Sequence, residues 1–304
     1  MQLHQLRYFC AVARTGNFTR AAQHEHLAQP SLSQQIRKLE EELGTRLFDR
    51  LGRIVRLTQM GEALLPRAEA ILNQVDAAKL EIQEMAGTEQ GRLVIGAIPT
   101  IAPYFLPSCL ASFARKFPRV QVNVVEEVTS ELLNRLQAGA VDVAILALPV
   151  PEAHCLSHEL FRERLYVVVP YNHRLASQQR VHLKQIETDP FLLLKEGHCF
   201  RDSTLSACGR ARLHPNVVFE SGQFTTILAM VAAGTGVSVV PEMAVEERDG
   251  CRFLPLADEG AYRRVGIVQL KQRFRSRVHR AFLEHLRQRQ RQQDERSHFR
   301  RLAG

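Results

Sequence analysis

Residues 195–208 read KEGHCFRDSTLSAC. Two thiols, Cys199 and Cys208, stand nine positions apart, with His198 before the first and Arg201 and Asp202 just after it. A thiolate attacks peroxides and disulfides, and positive charge or a helix start favours its formation. Cys199 follows the strand-like run FLLLK and the turn Glu196-Gly197-His198, which puts it at the start of a helix. This setting favours a low thiol pKa. Cys208 has no such neighbours and reads as the thiol that would resolve a sulfenic acid at Cys199. If 199–208 is one straight helix, the two Cα atoms lie roughly 13 Å apart. A disulfide needs them within roughly 7 Å, so a static bridge across an intact helix is excluded. Two inert core thiols, or a pair that bonds when the segment refolds, both stay open.

The rest of the chain must say which. It has 304 residues, 45% hydrophobic and 24% charged, enough for two or three globular domains. No apolar run reaches the roughly 18 residues of a membrane helix, and the start MQLHQLRYFCAVARTG lacks a small-residue cleavage site. A cytoplasmic protein without membrane contact is expected. Six scattered cysteines do not make a secreted disulfide framework. Without a CxxC pair a structural zinc site is not expected, and no cofactor is. P-loop, HExxH and GxSxG motifs are absent, so the chain does not read as an enzyme. Gly234-Thr235-Gly236 reads as a helix-to-strand turn rather than a phosphate cradle. Cys10, Cys109, Cys155 and Cys251 read as packing or surface thiols.

The net charge of +8 is localised. Residues 1–58 carry nine Lys and Arg against five Asp and Glu, and residues 271–304 carry eleven against three. The basic start points to nucleic acid. The basic end, HLRQRQRQQDERSHFRR, reads as a solvated helix end and tail.

Residues 3–50 have helical periodicity throughout. Leu6, Phe9, Cys10 and Ala13 share a face, Gly16 breaks it, and Asn17 is placed to cap a short helix that buries Phe18, Ala21 and Ala22. A turn at His26–Ala28, plugged by Leu27, precedes a helix with Pro30 in its first turn and Gln29 or Ser31 as its cap. Leu32, Ile36, Leu39 and Leu43 line its inner face. Gln29, Pro30, Ser31, Ser33, Gln34, Arg37 and Lys38 are left for double-stranded DNA: a helix-turn-helix. Arg50, Arg53 and Arg56, around the strand residues Val55 and Leu57, would meet phosphates from a small wing.

Thr58 can cap a long helix running to about Ala86. Leu64, Ala68, Ile71, Val75, Ala78, Ile82 and Met85 form an a/d seam with polar flanks, the pattern of a two-helix dimer contact. GTEQG at 87–91 reads as a hinge. The expected domains are a winged helix-turn-helix at 1–58, a linker helix and hinge at 59–90, and a regulatory domain at 91–304. In the last, β-rich runs at 93–98, 120–126, 141–148, 165–170, 191–195, 217–221, 237–241 and 265–270 alternate with helical segments at 101–116, 130–138, 203–212 and 224–234. This is an α/β pattern with mostly parallel sheets in two lobes around a cleft.

Phe18-x-x-Ala21-Ala22, Gln29-Pro30-Ser31-Leu32-Ser33, Ile36-x-x-Leu39-Glu40, Leu43-Gly44, Leu47-Phe48-x-Arg50 and Leu57-Thr58-x-x-Gly61 resemble the DNA-binding domain of LysR-type transcriptional regulators. That resemblance implies a two-lobed domain similar to periplasmic binding proteins, with lobe I about 92–164 and 269–297 and lobe II about 165–268. Gly197-His198-Cys199-x-Arg201-Asp202 with Cys208 is similar to the redox segment of the peroxide-sensing activators in that family. Ile98-Pro99-Thr100, Thr129 and Met230-Val231-Ala232-Ala233-Gly234-x-Gly236 agree. Arg263 matches their pocket arginine, with Arg264 the alternative if the register slips; the match weakens after Cys251. The resemblance implies hydrogen peroxide as the signal and a Cys199–Cys208 disulfide as the response. Thr100 and Thr129 would hold peroxide or water, His198 would orient the site, and Arg263 would stabilise the thiolate or leaving hydroxide. Asp202 pairs with a base or caps the helix. A homotetramer, promoter DNA and RNA polymerase are the implied partners. Two other readings remain: a family member that binds a small organic effector in the cleft, and a redox enzyme, against which the helix-turn-helix argues.

Overall fold

A computed structural model of the chain describes residues 1–51, 54–85, 91–150, 154–271 and 275–302; the side chains of 50, 51, 54, 80, 81, 83–85 and 291–302 lie outside the description. Two compact units are present, one built on residues 1–88 and one on the bulk of 89–304.

The first unit begins with α1 (Leu3–Thr15), α2 (Phe18–His24) and α3 (Gln29–Leu43). Gly16 ends α1 at φ 60, a left-handed conformation open to a residue without Cβ. The Asn17 side chain caps α2, accepting from the N–H groups of Thr19 (2.9 Å) and Arg20 (3.0 Å). Neither Gln29 nor Ser31 caps α3. The cap is Ala28, whose side chain makes no bond, and Gln29 lies inside the helix and donates to the Ser33 hydroxyl. Leu32, Ile36 and Leu39 are fully buried, but Leu43 is 41% exposed, because the helix ends before its last turn meets the core. β1 (Phe48–Leu51) and β2 (Ile54–Leu57) pair antiparallel as the wing.

α4 (Gln59–Met85) follows. The Thr58 hydroxyl accepts from the Gly61 N–H at 3.1 Å and caps it. Its 27 residues span about 40 Å. The seam divides in use: Leu64, Ala68 and Ile71 pack on the helix-turn-helix core of their own unit, whereas Ile82 is 68% exposed. Three of the seven residues of the expected dimer seam therefore belong to the core of their own unit. The predicted hinge at 87–91 falls almost wholly outside the described residues.

The second unit contains β3 (Arg92–Ala97), α5 (Ala102–Lys116), β4 (Gln121–Glu126), α6 (Thr129–Gln137), β5 (Val143–Leu148), β6 (Cys155–Pro170), β7 (Pro190–Leu194), α7 (Cys199–Arg210), β8 (Asn216–Ser221), α8 (Phe224–Ala232), β9 (Ser238–Pro241), β10 (Cys251–Pro255), β11 (Tyr262–Leu270) and α9 (Arg277–Leu302). In the first lobe the sheet order is β4-β3-β5-β11-β6. In the second, β9 and β10 flank the other end of β6, and β7 and β8 join through a bridge from Phe191 to Val237. The 16-residue β6 thus serves both lobes.

The sheets are mixed rather than mostly parallel. β3–β4, β3–β5 and β7–β8 are parallel, but every pairing of β6 and β11 is antiparallel. β6 and β11 are the crossing strands, which run back along each lobe instead of being reached through a helix. Chain return to lobe I occurs earlier than expected. β11 pairs with β6 from Tyr262 onward, so lobe II ends near residue 261 and not at 268. Gly234 ends α8 at φ 81, and Gly236 sits where a Cβ would strike the Pro190 carbonyl, as a tight helix-to-strand turn demands. α9 docks on α5 through Phe113 and Phe282, ring centroids 5.1 Å apart, and through His285, whose Nε2 lies 2.9 Å from the Ser112 hydroxyl.

Candidate functional site

The first turn of α7 lies where the lobes meet. Gly197 at φ 89 turns the chain, and His198 is the N-cap residue, without a side-chain cap bond. Cys199 is the first helical residue, and its carbonyl accepts from the Ser203 hydroxyl at 3.0 Å. It keeps part of its surface open. From lobe I, three groups favour its thiolate: the Thr129 hydroxyl at the start of α6, the Arg263 charge on β11 and the Ala147 backbone on β5. The Thr129 hydroxyl is buried and close to the sulfur, but its geometry falls short of a directed hydrogen bond.

Burial nevertheless pushes the Cys199 thiol up, and the Asp202 carboxylate adds to that. This corrects the expected low pKa: desolvation in the packed junction outweighs the helix start and the positive neighbours. Arg201 does not help, because its guanidinium is committed to Glu220 (2.5 Å) and the Leu194 carbonyl (2.9 Å). Asp202 is exposed and neither caps α7 nor forms an ion pair with a described residue. His198 is 6% exposed, and burial, then the nearby Lys195 charge, hold its pKa below the usual value. It stands as a neutral imidazole beside Gly222.

Arg263 is 4% exposed. Its Nη1 donates to Thr100 Oγ1 and its Nη2 to the Thr100 carbonyl, both at 2.9 Å. Nε pairs with Glu163, Nη2 also approaches Met243 Sδ at 3.3 Å, and the guanidinium carbon lies 5.1 Å from the centre of the Phe200 ring. The neighbouring Arg264 is half exposed and pairs with Glu159 at 3.6 Å, so strand alternation turns Arg263 inward. Sequence pattern did not single out Glu163, Met243 or Phe200. The one signal for Glu163 was an acid in a segment that continues into an apolar strand.

Cys208 is fully buried in the lobe II core, with its thiol pushed up to about 11. α7 is unbroken from Cys199 to Arg210, so nine residues place the two thiols about 180° apart around the helix. Among the described residues no group of three or more His, Cys, Asp and Glu could hold a metal ion, and no helix is long and apolar enough to cross a membrane.

In the first unit, α3 presents Gln29, Pro30, Ser31, Gln34, Arg37 and Lys38 to solvent, with Ser33 half-buried. Leu32, Ile36 and Leu39 anchor the opposite face. Arg50 lies in β1, opposite Val55, but its side chain is outside the described residues, as is all of Arg53; Arg56 is exposed on β2.

Residues 3–62 match the bacterial regulatory helix-turn-helix family of LysR type, and residues 86–291 match the LysR substrate-binding domain. The hydrogen peroxide-inducible genes activator of Pectobacterium carotovorum is 35% identical over 271 residues, covering 88% of this chain and 90% of the relative. The DNA-binding transcriptional dual regulator OxyR of Escherichia coli K12 is also 35% identical, covering 88% and 89%. Full-length OxyR from Pseudomonas aeruginosa, in a cysteine-to-aspartate variant, superimposes with a TM-score of 0.75 at 33% identity over 94% of this chain and 98% of that one. The recognition helix of the first unit and the two-lobed α/β domain of the second are the two modules these matches cover: the chain belongs to the LysR family of DNA-binding transcriptional regulators.

Proposed function

We propose that the chain is a peroxide-responsive regulator in which Cys199 senses and Cys208 resolves. The observation that carries this reading is the place of Cys199. It opens α7, keeps accessible surface, and stands among Thr129, Ala147 and Arg263 where the lobes meet. The relatives named for hydrogen peroxide point the same way. The Cys199 thiolate attacks one oxygen of hydrogen peroxide and the O–O bond breaks. Hydroxide leaves and takes up the proton the thiol gave away, and the sulfur becomes a sulfenic acid. The Cys208 thiol then attacks that sulfur; the S–S bond forms, the S–O bond breaks and a second water leaves.

Thr100 and Thr129 hold peroxide or the displaced water, and Arg263 stabilises thiolate and leaving hydroxide. His198, neutral and buried, orients the sulfur, while Asp202 opposes ionisation from the same turn. Because the thiols face opposite sides of α7, the second step requires segment 199–208 to refold. Refolding changes how the lobes pack in a homotetramer whose dimers are joined through the linker helix. On promoter DNA in the cytoplasm the DNA-binding heads shift, with RNA polymerase as the downstream partner.

Thiol mapping by mass spectrometry after one equivalent of peroxide tests this. A rapid Cys199–Cys208 linkage, with the other four thiols free, is expected. Oxidation of Cys199 without Cys208 would assign the resolving role elsewhere. Absence of selective oxidation at Cys199 would overturn the reading and leave a regulator that responds to a small organic effector.

A further inference from the structure

Arg263 owes its place to more than Thr100. Among the described residues Glu163 on β6 is its one ion-pair partner, and both side chains are almost wholly buried. The second Glu163 oxygen accepts from the Met243 N–H at 3.0 Å. One carboxylate therefore ties the guanidinium to the turn Glu242–Ala244 while Thr100 holds its other nitrogens. Burial pushes the Glu163 carboxyl up and the Glu242 carboxylate of that turn adds to this, while Arg263 from β11 and the Met243 N–H work against it. Those acting on Cys199 are Thr129 from α6, Ala147 from β5, Arg263 from β11 and Asp202 from α7, with His198 next to it and Lys195 beside the histidine.

We propose that Glu163 is a positioning residue that restrains Cys199 through Arg263: its carboxylate immobilises the guanidinium and offsets most of its charge, leaving only a residual pull on the thiolate. In a poorly solvated junction a neighbouring anion disfavours a second anion, and a paired cation attracts a thiolate less than a free one. The inference rests on Cys199 being the reactive thiol of the proposed function.

The test is the pH profile of Cys199 alkylation by iodoacetamide, read by peptide mass spectrometry on the full chain; this probe reports thiolate without peroxide. Glu163→Gln should move the profile to lower pH by about one unit, about tenfold more thiolate at pH 7. Glu163→Asp keeps the charge and should stay with the wild type. A Glu163→Gln profile that coincides with the wild type or moves up overturns the inference. So does an Asp variant that moves as far as the Gln variant, since shape rather than charge would then be responsible. Should Glu163→Gln not fold, the double variant Glu163→Leu with Arg263→Met replaces the buried pair by apolar side chains, a change that folds tolerate. Its profile should stay close to the wild type, because an offset pair has little net charge to lose, and a profile raised by about one unit or more would overturn the inference. Failure of the peroxide reading is seen separately: a wild-type Cys199 that alkylates as described yet resists peroxide rejects that reading and leaves the role of Glu163 standing.

Discussion

Cys199 and Cys208 belong to one uninterrupted helix but to different surroundings. Cys199 faces lobe I groups and keeps accessible surface, while Cys208 is sealed in the core of lobe II. About 13 Å of helix and two and a half turns separate them. Any disulfide between them is therefore a report on local unfolding of α7, and Phe200, which covers both Phe224 and the Arg263 guanidinium, must move with it.

Oxidation should therefore cost α7 its hydrogen-exchange protection. In reduced protein, amides of 203–210 are expected to exchange slowly; after peroxide treatment they should exchange at least about tenfold faster, as for a segment released from its packed state. Deuterium uptake of that peptide, measured in wild type and in Cys208→Ser, checks this. Equal protection in oxidised wild type would contradict a disulfide made by refolding.

The pH dependence of Cys199 follows from its direction of shift. Burial raises the thiol, so the resting protein holds little thiolate at pH 7, and reactivity should climb through the ordinary thiol range and beyond. Thr129→Val removes a hydroxyl that favours the thiolate and should slow oxidation at pH 7 by about two- to tenfold. Stopped-flow or quenched mass spectrometry against pH measures both.

His285 gives the second unit a sensitivity to acid. Burial, followed by the Lys116 and Arg289 charges, lowers its pKa, while a backbone bond at Cys109 opposes them. A histidine with a depressed folded pKa is neutral in both states above about pH 6.5, and the unfolded chain takes up its proton first as pH falls. Its share of stability is present above that pH and is lost below it. Thermal melts from pH 8 to pH 5 should show a smaller acid loss in His285→Gln than in wild type. Parallel curves would contradict this role.

Asn17→Ala should lower the stability of the first unit by about 1 kcal/mol, because two N–H groups of α2 lose their acceptor. Urea unfolding measures it. The same substitution should leave the solvent-facing side chains of α3 in place.

Arg37→Ala on the exposed face of α3 should weaken promoter binding. If the guanidinium neutralises one phosphate, the slope of log affinity against log salt should become shallower by about 0.9 in the variant. Binding titrations across a salt series read this, and an unchanged slope together with a relaxed sequence preference would assign Arg37 to a base edge.

Helices α1 to α3 were legible from local pattern, because apolar spacing, Asn17 and Gly16 act within a few residues. Eight of the strand runs of the second unit were legible for the same reason. The first ten residues of β6, CLSHELFRER, were not, since half of them face solvent and the apolar signal is diluted. β10 was missed likewise. Parallel order was inferred from βα alternation, but the antiparallel returns of β6 and β11 depend on which lobe each strand reaches.

Sequence was enough to place Cys199 at a helix start, to separate it from Cys208 by nine residues, and to set out the recognition helix, because helix geometry converts spacing into distance without help from remote segments. It could not assign the charge state of Cys199. That depends on desolvation and on Thr129, Ala147 and Arg263, which arrive from three other elements. Nor could it find Glu163, whose partner Arg263 lies 100 residues away. An acid in a strand looks like a solvent-facing residue until packing removes the solvent, and burial and electrostatic pairing come into being only when distant segments close on one another.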